Sequence, residues 1–116
     1  MPRPKLYLAG PMTGYPEDNR PRFNQLARVL RDRGFDVVNP AEFDQDQSYD
    51  VLIHQGLAAL RDPAVIGVAT HGRHLRSKGA RGEVAFARFW REIPVHSWWA
   101  WTVAGPNRTD WMNKWR

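Results

Sequence analysis

The sequence contains no cysteine. That excludes disulfide cross-links and a thiol nucleophile. Lysine is scarce as well: of 17 basic residues only Lys5, Lys78 and Lys114 are lysines, and the rest are arginines. No apolar run is long enough to span a bilayer, and the N-terminus carries no secretory pattern. No internal repeat or low-complexity segment is visible. No membrane association is expected, and the expected location is cytoplasmic.

What is present is ordinary globular material. A chain of 116 residues with 42% hydrophobic and 25% charged residues has the makings of one domain rather than a disordered segment. The net charge of +5 favours anionic partners such as nucleotides, phosphates or nucleic acid. The arginines are spread along the chain, so genome composition accounts for them equally well.

The pattern alternates strands and helices. "KLYLAG" (5–10) reads as a short buried strand ending at glycine. Asp18 or Asn19 is placed to cap the next helix, Pro21 suits its first turn, and Phe23, Leu26, Ala27 and Leu30 recur at helical spacing until Gly34. "FDVV" (35–38) is a second strand stopped by Asn39-Pro40. A helix over about 49–61 carries Tyr49, Ile53, Gly56, Leu57 and Leu60 on one stripe. "AVIGVA" (64–69) is a third strand, a helix follows from about 80 to 91, and "IPVHSW" (93–98) begins as a strand. The expected fold is α/β: a small parallel sheet of four or five strands, flavodoxin-like or Rossmann-like, with helices on both faces. Residues 1–96 form that domain. Residues 97–116 form a Trp-rich extension, since all six tryptophans lie between 90 and 115. "WWAW" is too aromatic for a free tail and is expected to pack on the sheet or on another subunit, which makes a homo-oligomer the expected assembly.

In open parallel sheets ligands bind beyond the carboxyl ends of the strands. "GPMTG", "NPAEF", "THGRH" and "SKGARGE" all fall there. Ser77 and the amides around Gly79 and Gly82 are placed to cradle a phosphate at a helix N-terminus, or Ser77 simply caps that helix. Arg73, Arg76, Lys78 and Arg81 form the densest basic cluster, either solvated or attracting an anion. His71 and His74 lack a third ligand at sensible spacing, so no metal and no cofactor is expected. Glu83 is either a solvated first-turn glutamate or a nucleophile.

Three motifs in order, "YLAGPMTG", "VVNPAE" and "SKGARGE", resemble the nucleoside 2-deoxyribosyltransferase-like superfamily, which includes 2′-deoxynucleoside 5′-phosphate N-hydrolases. The resemblance covers roughly residues 5–96. It implies that Glu83 attacks the anomeric carbon of a deoxynucleoside and forms a covalent glycosyl intermediate, in the manner of a retaining glycosidase carboxylate. A helix N-terminus would help hold that carboxylate ionised. The resemblance also implies that Ser77 and Gly79 hold a 5′-phosphate, and that Gly10, Pro11 and Met12 line the sugar and base site, with Asn39 at its edge. Tyr7 is a pocket wall or a core residue.

Two departures stand out. Gly56 and Ala64 occupy positions where relatives carry aspartates. Two function classes therefore compete. One is an enzyme that cleaves or exchanges the N-glycosidic bond of a deoxynucleoside or its 5′-phosphate. The other is a nucleotide-binding protein without turnover. Nucleic-acid binding rests on composition alone and is placed last.

Overall fold

The computed structural model describes residues 3–107. Its elements run β1 (Lys5–Ala9), α1 (Arg20–Arg33), β2 (Asp36–Val38), α2 (Tyr49–Arg61), β3 (Val65–Thr70), α3 (Lys78–Phe86), β4 (Val95–Ser97) and α4 (Trp98–Ala104). Short 3-10 turns precede α1, α2 and α3, and a π-helical turn, Ala87–Arg91, continues α3. The four strands form one parallel sheet in the order β2-β1-β3-β4. This is a flavodoxin-like or Rossmann-like α/β fold.

The period of two along β1 sorts the core. Leu6 and Leu8 face one side, where Phe23, Leu26, Ala27 and Leu30 of α1 meet Trp101 of α4. Tyr7 and Ala9 face the other, where Leu60 of α2 meets Val84 and Ala87 of the α3 segment. Helices thus cover both faces. Ser48 caps α2, accepting from the Val51 amide at 3.3 Å. Gly34 ends α1 at φ +115°, a conformation that favours glycine.

Three expectations need correction. Neither Asp18 nor Asn19 caps α1 through its side chain. Residues 17–19 all sit at positive φ, and the Asn19 amide instead donates to the Pro11 carbonyl at 2.8 Å, tying the loop after β1 to the start of α1. The last long helix starts at Lys78, two residues early, because Ser77 caps it by accepting from the Ala80 amide at 3.3 Å. The last strand is shorter than 93–98: it covers Val95–Ser97, and Trp98 opens α4, which folds back on the sheet, one of the two placements expected of the aromatic segment. Trp101 is completely buried, whereas Trp90 and Trp99 are exposed. Trp111 and Trp115 lie outside the described residues.

Candidate functional site

The strand order reverses at β1 and β3. Connections leave these neighbours on opposite faces, so a crevice opens beyond their carboxyl ends. A cleft of about 550 Å³ lies there, a size suited to a small-molecule ligand. Each chain segment supplies one kind of lining. The loop after β1 gives Gly10, Pro11 and Met12. The segment after β2 gives Pro40 and Phe43, and α2 adds Tyr49 and Ile53. The segment after β3 gives Arg73, Arg76, Ser77, Lys78 and Gly79. Tyr7 and Glu83 complete it.

Glu83 is in the second turn of α3, since the helix begins at Lys78. The favourable dipole of a helix N-terminus fades within the first turn. It therefore does not hold Glu83 ionised as expected. Burial pushes the carboxyl up to about 7, with the hydroxyl of Tyr7 pulling the other way. Tyr7 donates that hydrogen bond from β1 to Oε2. Burial, and then the Glu83 charge, raise the tyrosine itself well above its ordinary value, so it remains a donor. Tyr7 is a fully buried residue whose one polar atom is aimed at the carboxylate.

Gly56 makes this pair possible. A β-carbon there would lie 2.5 Å from Glu83 Oε2 and 2.7 Å from Tyr7 Oη. The aspartate that the sequence resemblance places at this position has no room beside Glu83. Ala64, the other departure, precedes β3 at its amino end, away from the cleft. Gly56→Ala is expected to keep the fold and break the Tyr7–Glu83 bond. Alanine in a helix gains about 0.5–1 kcal/mol over glycine, and overpacking costs about 1–3 kcal/mol. A net loss of about 1 kcal/mol should appear in denaturant unfolding. A stability gain would mean that the carboxyl moves aside freely.

The other sequence candidates divide. Gly10, Pro11, Met12, Ser77 and Gly79 line the cleft. Ser77 also caps α3, so both of its readings hold as placements. Gly10 has a further reason to be glycine: a side chain there would run into the imidazole of His71. His71 is buried edge-on against Phe23, at 4.4 Å between ring centroids, and burial pushes it down to about 4. Asn39 does not reach the cleft. Its carbonyl accepts from the Ala41 amide at 3.0 Å and its amide donates to Asn24 Oδ1 at 2.9 Å, on a shallow surface beside α1. Gly82 lies outside too, on an adjoining apolar groove with Phe89 and Trp90. Of the basic cluster, Arg73, Arg76 and Lys78 line the cleft and Arg81 does not.

Sequence reasoning missed the aromatic wall of Tyr15 and Phe43, and placed Tyr49 on the apolar stripe of its helix without assigning it to the cleft. The only available signal was position, since each follows a strand end. Among the described residues, no three His, Asp or Glu side chains converge as a metal site would require, and no helix is long and apolar enough to cross a membrane.

The fold and site together define a parallel α/β domain with a tyrosine-held carboxylate in the crevice at its switch point. Residues 4–94 match the family described as domain of unknown function DUF4406, and the chain belongs to that family. No curated protein and no solved structure matches the chain.

Proposed function

We propose that the protein cleaves or exchanges the N-glycosidic bond of a deoxynucleoside or its 5′-phosphate, as the resemblance to nucleoside 2-deoxyribosyltransferase-like enzymes implies. The observation that carries this reading is the Glu83 carboxyl, held by Tyr7 in a cleft large enough for a nucleoside. Ionised Glu83 attacks the anomeric carbon. The C–N bond breaks with its electron pair going to the base, and a glycosyl ester forms on Glu83. Water or a second base then releases the sugar. Tyr7 positions the carboxylate and stabilises its charged form. Arg73, Arg76 and Lys78 give the cleft a basic rim suited to a 5′-phosphate.

Incubation with each common deoxynucleoside and its 5′-phosphate, followed by chromatography, should show free base. The phosphorylated forms should react with the lower KM. Because attack needs the carboxylate, turnover should rise as pH increases through about 7, where Glu83 loses its proton. Absence of base release from every nucleoside, cationic ones included, would count against the reading.

One observation favours a second reading, binding without turnover. Gly56 leaves no place on α2 for an acid that would protonate a departing base. Tight nucleotide binding with no base release would establish it.

A further inference from the structure

The cleft holds a carboxylate without a counter-ion. The ion pairs among the described residues are Arg3–Asp36, Lys5–Asp62 and Arg31–Glu42, all away from Glu83. The hydrogen-bond partner of Glu83 is the neutral hydroxyl of Tyr7. Once ionised, a part-buried carboxylate with no cation in contact favours positive charge on the ligand at the reacting centre.

The surroundings point the same way. The β-carbon position of Gly56 is already filled by Glu83 Oε2 and Tyr7 Oη, so position 56 of α2 offers no side chain beside the reacting carboxyl. The other carboxylate lining the cleft is Asp18, exposed on the turn before α1. Aromatic rings of Tyr15, Phe43 and Tyr49 come from the β1 and β2 sides, opposite in origin to the basic segment after β3. Such rings bind a cationic heterocycle through their faces.

We infer that the site takes N-glycosides whose base already carries a positive charge on a quaternised ring nitrogen. This inference rests on the proposed N-glycosidic chemistry and names its substrate class. The two natural forms of such a base are an N7-alkylated purine and a pyridinium. In either, the C–N electron pair moves onto the ring as Glu83 bonds to the anomeric carbon. The base leaves neutral and needs no proton. Water then hydrolyses the glycosyl ester: its hydroxyl goes to the anomeric carbon, and the carboxylate, the free sugar and one proton, released to solvent, are returned. A neutral nucleoside must instead take up a proton on leaving, and neither Gly56 nor Tyr7 supplies one.

The groups facing the carboxyl predict the pH profile. Tyr7 faces it from β1, Gly56 from α2, and Lys78, Arg73, Arg76 and Asp18 line the same cleft. A single ascending limb is expected, from ionisation of Glu83, with no descending limb from an acid.

The test measures kcat/KM for 7-methyl-2′-deoxyguanosine, 2′-deoxyguanosine and the 2′-deoxyriboside of nicotinamide, each beside its uncatalysed rate. Without a general acid, the enzymic preference for the methylated over the unmethylated purine should match their uncatalysed ratio. A positioned acid would compress that ratio by about 10²–10⁴-fold. The nicotinamide arm separates the two sources: cleavage of it at a rate comparable to the methylated purine marks a general cation site, and its resistance marks a purine site. Compression by a hundredfold or more overturns the inference while the N-glycosidase reading stands. So does a descending limb that Asp18→Asn removes, which would make Asp18 the acid. No cleavage of any of the three overturns the inference, and the N-glycosidase reading falls with it only when the other common deoxynucleosides and their 5′-phosphates also release no base.

Discussion

Glu83→Gln is expected to abolish base release and to raise stability above neutral pH. Glutamine keeps the shape and still accepts the Tyr7 hydroxyl, but it is a far poorer nucleophile. A covalent adduct trapped with a 2-fluoro sugar analogue should add mass to the wild type and not to the variant. The stability change follows from linkage. Burial raises the folded-state pKa of Glu83 from the ordinary 4.5 to about 7. A carboxyl raised in this way favours folding fully below its unfolded pKa. That contribution is lost as pH rises from about 4.5 through about 7. One pKa unit corresponds to about 1.4 kcal/mol, so the loss is about 3.5 kcal/mol at most, and less because the residue stays partly accessible. The variant should therefore match the wild type near pH 4 and exceed it near pH 8. Turnover that survives in Glu83→Gln would sink the nucleophile assignment. Identical stability curves at both pH values would show that the carboxyl is well solvated.

Trp101→Ala should cost a large share of the protein's stability. The side chain is completely buried between α1 and the sheet. Its indole N–H donates to the Val68 carbonyl at 2.9 Å, and its ring packs edge-on to Phe35 at 6.0 Å. Gly67 completes the fit, since a β-carbon there would lie 2.6 Å from the ring. Truncating a buried tryptophan costs about 3–5 kcal/mol, against a total of about 5–15 kcal/mol for a small domain. Denaturant midpoints should fall accordingly. Trp99→Ala is the control: Trp99 is 58% exposed, and its loss should change stability by no more than about 0.5 kcal/mol. Equal, small effects for both would mean that α4 is not part of the core.

The order of elements was readable because its signals are local. Tyr49–Arg61 matched the expected helix to the residue, since Ser48 and the apolar stripe mark it from within the segment. The short strand between Gly34 and Asn39-Pro40 was bounded by residues that limit it through their own backbone preferences. Placement of Gly10 and Ser77 around one crevice was also legible, because the segments that follow strand ends in a parallel sheet gather on one edge.

Asn39 shows where such reasoning stops. It sits at a strand end like the others, but Ala41 and Asn24 turn its side chain to a different surface. Nothing near it in sequence announces Asn24.

The sequence by itself determined the parallel α/β class, the helix and strand order, and the carboxylate on the last long helix. Those follow from periodicity and end signals within a few residues. Only the tertiary structure decided the rest. It set Tyr7 against Glu83 across 76 positions, fitted Gly56 to both, and carried Trp101 into the core over Gly67. Each is a contact between distant segments whose sign depends on ångström-scale space. Burial, opposed by the Tyr7 hydrogen bond and encoded in no one segment, sets the protonation of the carboxyl.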